Sequence, residues 1–67
     1  MKRQDLIKQM RQIAAEANAD FGQLREGGSH TIFGINGQRI AVPRHREIAE
    51  PTAKRILADC EKVSREN

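Results

Sequence analysis

The sequence predicts an α+β fold, ordered α-β-β-β-α, with two helices covering one face of a three-stranded antiparallel sheet. Three observations carry this reading. Apolar residues recur at helical spacing near both ends of the chain. Between those ends, short runs alternate apolar and polar residues with period two. The runs are separated by Gly27-Gly28 and Asn36-Gly37, pairs that favour tight reversals of the chain.

The first helix is expected from about Gln4 to Asn18. Leu6, Met10, Ile13, Ala14 and Ala17 fall on one stripe, with Ile7 at its margin. Asp5 lies in the first turn, where a carboxylate suits the helix dipole. Asn18 and Asp20 are stop signals. Three strands follow, at roughly Phe21–Glu26, Ser29–Ile35 and Gln38–Pro43. The second helix is expected from about Pro51, which suits a first helical position because its missing N–H costs nothing there, to Ser64. Its stripe is Ala53, Ile56, Leu57, Cys60 and Val63.

Turn geometry then sets register. A two-residue type I′ turn at Asn36-Gly37 pairs Ile35 with Gln38, Phe33 with Ile40, Thr31 with Val42 and His30 with Pro43. A two-residue turn at Gly27-Gly28 would pair Glu26 with Ser29, Arg25 with His30 and Leu24 with Thr31. Side chains alternate between faces along each strand. Leu24, Thr31, Phe33, Ile35, Ile40 and Val42 are therefore expected under the helices. Gln23, Arg25, His30, Ile32, Arg39 and Ala41 are expected on the uncovered face, with Arg25 directly across from His30.

Composition narrows the function classes. The chain of 67 residues fits one domain, residues 1–67, with a small core. A domain of this size buries only about 60% of the surface its unfolded chain exposes. One cysteine, Cys60, allows no internal disulfide, and no zinc-type Cys/His cluster appears, which suits a reducing, cytoplasmic setting. No apolar run approaches the roughly 20 residues of a membrane span, and no signal peptide is expected after Met1-Lys2-Arg3-Gln4-Asp5. Lys and Arg total 12 against 9 Asp and Glu, a net charge of +3 that leans toward polyanionic partners. Phe21 and Phe33 are the only aromatics and both have core roles, so base stacking on an aromatic platform is not expected.

The candidate chemistry centres on His30. Histidine is the side chain whose ordinary pKa lies closest to neutrality, so it suits proton transfer near pH 7. The alternative is a polar residue on a wet sheet surface. Gly28 and Ser29 lie in the turn before it, where glycine permits close approach of a phosphodiester and serine satisfies turn hydrogen bonds. Arg44 and His45 follow Pro43, at the same end of the sheet, and either contact substrate or merely close the loop. Arg39 lies four residues from His30 along the ladder, roughly 13 Å at strand rise, too far for the chemistry but suited to a neighbouring phosphate. Lys54, beside Arg55 early in the second helix, is an RNA-contact candidate or a solvated charge. Cys60 and Met10 are core residues, since a buried thiol without basic neighbours is inert. No carboxylate cluster or His/Cys set lies near His30, so neither metal nor other cofactor is expected.

Several segments together resemble one family. They are Met1-Lys2-Arg3-Gln4-Asp5-Leu6-Ile7, Arg25-Glu26-Gly27-Gly28-Ser29-His30-Thr31-Ile32-Phe33, Ile40-Ala41-Val42-Pro43-Arg44-His45-Arg46-Glu47-Ile48 and Thr52-Ala53-Lys54-Arg55-Ile56-Leu57. They are similar to the HicA toxins of bacterial and archaeal toxin–antitoxin pairs, on a double-stranded-RNA-binding-domain-like fold. The pairing of Gly-Ser-His with Val-Pro-x-His at this spacing is the more specific part. The resemblance implies an mRNA-cleaving endoribonuclease with His30 as catalytic histidine. It also implies a HicB-like antitoxin that covers the site, with the free toxin a monomer. Two departures touch substrate preference: Phe21-Gly22 stands where many relatives carry tryptophan, and Thr31 where relatives often have a second histidine.

The expected reaction is attack of a ribose 2′-hydroxyl on the adjacent phosphodiester. His30 exchanges the proton, while Arg25, with Arg44, stabilises the added charge; RNA contacts come from Arg25, Gly28, Ser29, Arg39, Arg44, His45 and Lys54. Two other classes stay open. A non-catalytic double-stranded-RNA-binding module would retain RNA intact. A pure interaction protein docking through a sheet edge would bind a partner without salt-sensitive affinity for RNA.

Overall fold

Helix α1 (Arg3–Glu16) leads into strands β1 (Phe21–Glu26), β2 (His30–Ile35) and β3 (Gln38–Pro43), and helix α2 (Glu50–Arg65) closes the chain. The structure is a computed structural model and describes residues 1–66. The sheet is antiparallel in the order β1-β2-β3. Thr31, Phe33, Ile35, Ile40 and Val42 are buried on the face that meets Leu6, Met10 and Ala14 of α1 and Ala53, Ile56 and Cys60 of α2. The expected α+β architecture is the one found.

Local chemistry explains where the elements stop. Asn18 adopts φ 60°, the left-handed conformation that asparagine tolerates better than most residues. Ala19 N–H then donates to Ala14 O at 2.8 Å, and Asn18 N–H to Ala15 O at 3.1 Å. This is the Schellman pattern, which satisfies helix-end carbonyls. The helix therefore ends at Glu16, and Ala17, expected on the buried stripe, is an exposed cap residue. At the hairpin tip Asn36 and Gly37 have φ 52° and 82°, as a type I′ turn requires. The β2–β3 register is the expected one at every pair, including His30 opposite Pro43.

The β1–β2 register is not. Phe21 lies opposite Ile35, Gln23 opposite Phe33, Arg25 opposite Ile32 and Glu26 opposite Thr31, with a bulge at Leu24. Gly27, Gly28 and Ser29 form a three-residue connection, closed by Gly27 N–H donating to His30 O at 2.8 Å. Neither Gly27 nor Gly28 takes positive φ, so the two-residue turn expected there does not form. The extra residue in β1 moves Phe21 and Gln23 to the helix side and Leu24 to the open side. Phe21 stacks on Phe33 with ring centroids 5.4 Å apart, and Leu24 is left 58% exposed. Burying the larger aromatic explains the exchange, since apolar stabilisation grows with the area removed from water.

Two contacts tie the start of the chain to the far end of the sheet. Arg3 N–H donates to Arg46 O at 2.9 Å and Ile48 N–H to Met1 O at 2.7 Å, a short antiparallel pairing ahead of α1. The Arg3 guanidinium donates from Nε to Pro43 O at 3.0 Å and from Nη2 to Thr31 Oγ1 at 2.7 Å. Thr31 is fully buried, so Arg3 supplies the main partner of a hydroxyl that water cannot reach.

Candidate active site on the open sheet face

His30 opens β2 and is exposed. Its neighbours across the sheet are Gly27 and Pro43, so nothing bulky covers the ring from either side. Ser29 Oγ lies 3.0 Å from His30 Nδ1, which fixes the ring's orientation and leaves Nε2 without a partner among the described residues. A histidine that takes a proton at Nε2 must carry its own on Nδ1. Ser29 can accept that Nδ1–H, because its hydroxyl rotates to accept or to donate.

A shallow concavity surrounds the ring. Gly27, Gly28 and Ser29 form one rim, Arg25 and Arg39 bring positive charge, and Leu24, Ile32 and Ala41 make an apolar floor. Gly34 lets Leu24 lie there: a Cβ at that glycine would meet Leu24 Cδ1 at 2.9 Å. Of the residues singled out from sequence, His30, Arg25, Gly28, Ser29 and Arg39 share this surface. Arg25 is not directly across from His30, however. It faces Ile32 and is the diagonal neighbour of His30, a Cα separation of about 7–8 Å that an arginine side chain can bridge.

The other candidates lie elsewhere. Arg44 is at the expected end of the sheet, with its N–H donating to Ser29 O at 3.0 Å. Its guanidinium donates to Gly27 O at 3.1 Å and lies 3.9 Å from Glu26, and the residue lines the concavity at the start of α1 rather than the one around His30. That orientation removes Arg44 from the set stabilising charge beside His30. His45 is exposed in the β3–α2 loop and lines neither concavity. Lys54 borders the groove between α1 and α2 with Ile13, Glu16 and Glu61, on the far side of the sheet. Sequence reasoning missed Lys2, Arg3 and Arg46, which meet Arg44 in a second concavity at the start of α1. The signal was faint: an arginine one turn before the apolar stripe, and a run of charges after Pro43.

No family model, curated protein or solved structure matches the chain.

Among the described residues no three His, Cys, Asp or Glu side chains cluster in a way that could hold a metal ion. Cys60 is buried in the core, donates to Met10 O at 3.5 Å, and has its thiol pKa pushed up by burial, so it is no nucleophile. No described helix is long and apolar enough to cross a membrane. What the open face offers is one accessible imidazole of fixed orientation, two guanidinium groups within reach of the same ligand, and an apolar floor. That set can move a proton and bind a phosphate.

Proposed function

We propose that the chain is an endoribonuclease acting through His30 without a metal. The ribose 2′-oxygen attacks the adjacent phosphorus, and its proton passes to His30 Nε2. The new 2′-O–P bond replaces the P–O5′ bond, and the departing 5′-oxygen takes a proton back. Products are a 2′,3′-cyclic phosphate and a 5′-hydroxyl. Arg25 offsets the charge that builds on the phosphoryl oxygens, and Arg39, four residues from His30 along the ladder, holds a neighbouring phosphate. The observation that carries this reading is the exposed His30, with Ser29 at Nδ1 and Nε2 without a partner among the described residues.

The resemblance to the HicA toxins supports the biological half of the proposal. The RNA is mRNA, and the protein is the toxin of a toxin–antitoxin pair whose HicB-like antitoxin covers the open face.

The test is cleavage of end-labelled RNA with product ends identified by mass spectrometry. His30→Ala should lower the rate by about 10²–10⁴, the usual share of general acid–base catalysis, with unchanged circular dichroism. Ser29→Ala should cost about fivefold, one hydrogen bond of roughly 1 kcal/mol. Cleavage by the wild type should continue in EDTA. A His30→Ala protein as active as the wild type, or an absolute need for added magnesium, would overturn the proposal.

A further inference from the structure

The concavity at the start of α1 gathers four cations, Lys2, Arg3, Arg44 and Arg46, against one carboxylate, Glu47. Two of the cations have structural duties. Arg3 holds Pro43 O and Thr31 Oγ1, and Arg44 holds Gly27 O beside Glu26. Lys2 and Arg46 are different. Both are exposed and make no side-chain hydrogen bond or ion pair among the described residues. Yet backbone pairing between Lys2 and Glu47, and from Arg3 N–H to Arg46 O, fixes their segments side by side. The pairing sets Lys2 opposite Glu47 and Arg46 opposite Arg3, and like charges directly opposite each other are destabilising unless an anion joins them.

This surface adjoins the His30 groove. The Gly27–Ser29 connection lines the groove, and Arg44 grips that same connection, by its N–H on Ser29 O and its guanidinium on Gly27 O, while lining the basic concavity. The wall between the two is thus a single loop. Gly27 and Gly28 keep its crest free of side chains, so a strand on the open face can cross it.

We propose that Lys2, Arg44 and Arg46 form a second phosphate subsite for the same RNA strand, engaging phosphates beyond the bond that His30 cleaves. The inference rests on the RNA-cleaving reading and assigns that enzyme a second contact region on the opposite side of the loop. The consequence is length dependence: a short RNA fills only the open face, and a longer one reaches both surfaces.

The experiment measures binding of fully 2′-O-methylated oligonucleotides, which lack the attacking hydroxyl. A length of about three nucleotides falls below, and one of about ten within, the roughly 4–16 nucleotides that small single-strand sites span. The Lys2→Ala/Arg46→Ala variant should bind the long oligonucleotide more weakly. Its slope of log affinity against log salt should flatten by about 1.4, at roughly 0.7 per lost phosphate contact. Binding of the short oligonucleotide should not change, and Arg46→Lys should restore the slope contributed by that position. Lys62→Ala/Arg65→Ala removes the same charge from the last turn of α2 and should leave both lengths unaffected. Equal loss for both lengths, or equal loss in the α2 variant, would reduce the effect to net charge and overturn the subsite. A wild type that cleaves RNA and a Lys2/Arg46 variant with unaltered slope would overturn the subsite alone. Failure of the wild type to bind either oligonucleotide or cleave RNA would overturn both proposals.

Discussion

Removal of the Arg3 guanidinium should be among the more damaging single changes outside the apolar core. Two hydrogen bonds would be lost, at 3.0 Å to Pro43 O and 2.7 Å to Thr31 Oγ1. Hydrogen bonds from charged donors contribute roughly 1.5–3 kcal/mol each, and partial exposure of Arg3 lowers that figure. Thr31 would keep only a 3.5 Å contact to Glu26 in a fully buried position. Together these give about 2–4 kcal/mol for Arg3→Ala. A small domain loses roughly 4–8 °C of Tm per kcal/mol, so the transition should fall by about 8–32 °C. The informative assay is a double-mutant cycle by urea and thermal melting. Thr31→Val keeps the shape and removes the orphaned hydroxyl, so it should recover about 1–2 kcal/mol in the Arg3→Ala background while costing stability in the wild type. Strictly additive effects would show that Arg3 does not act through Thr31, and the reasoning would fall.

Two further outcomes follow from features of the core and the open face. Burial raises the Cys60 thiol pKa above 9.0, so the native state favours the protonated form. The corresponding stability is complete below pH 9.0 and is lost as pH rises through the higher native value; Cys60→Ala should remove this alkaline sensitivity in pH-dependent melting, and a sensitivity that persists would assign it elsewhere. A partner that neutralises the protein should contact Arg25, His30 and Arg39. Arg25→Glu should then weaken the complex, and the complex should melt higher than the free protein. An interface mapped by hydrogen exchange to the outer surfaces of α1 and α2, with His30 still open, would contradict that arrangement.

Much of this was legible in sequence where local chemistry dictates geometry. Asn36-Gly37 has one comfortable conformation at its position, so the β2–β3 register followed, and His30 came to rest opposite Pro43 on the open face. Gly27-Gly28 has no such restriction. Two glycines permit a tight turn without requiring one, and here a three-residue link forms instead. The β1 pattern also offered two incompatible apolar claims on the core, Phe21 and Leu24. Strict alternation cannot place both on one face; the bulge resolves the conflict in favour of the aromatic, which has Phe33 to stack on. Arg25 shifted with that bulge and lost its direct pairing with His30. Arg44 could be placed at the right end of the sheet but not aimed, because the carbonyl and carboxylate that hold its guanidinium belong to residues 26 and 27, brought near only by the fold. Lys2, Arg3 and Arg46 were hidden for the same reason.

The pairing of the first three residues with the segment Arg46–Ile48 bears on how the protein assembles. Its outermost pair, Met1 and Ile48, lies 47 residues apart in the chain, whereas His30 and Pro43 are linked by a single hairpin. Closing the long loop costs more chain entropy than closing the hairpin, and that cost must be met before the contact returns anything. The strand pair bearing His30 should therefore form early, and the amino-terminal segment should dock late and release first. The Arg3 and Ile48 amides should exchange with solvent sooner than the amides of β2, through openings smaller than global unfolding. One edge of the basic concavity would then be assembled last and be the first to loosen, while the imidazole stays seated on its hairpin.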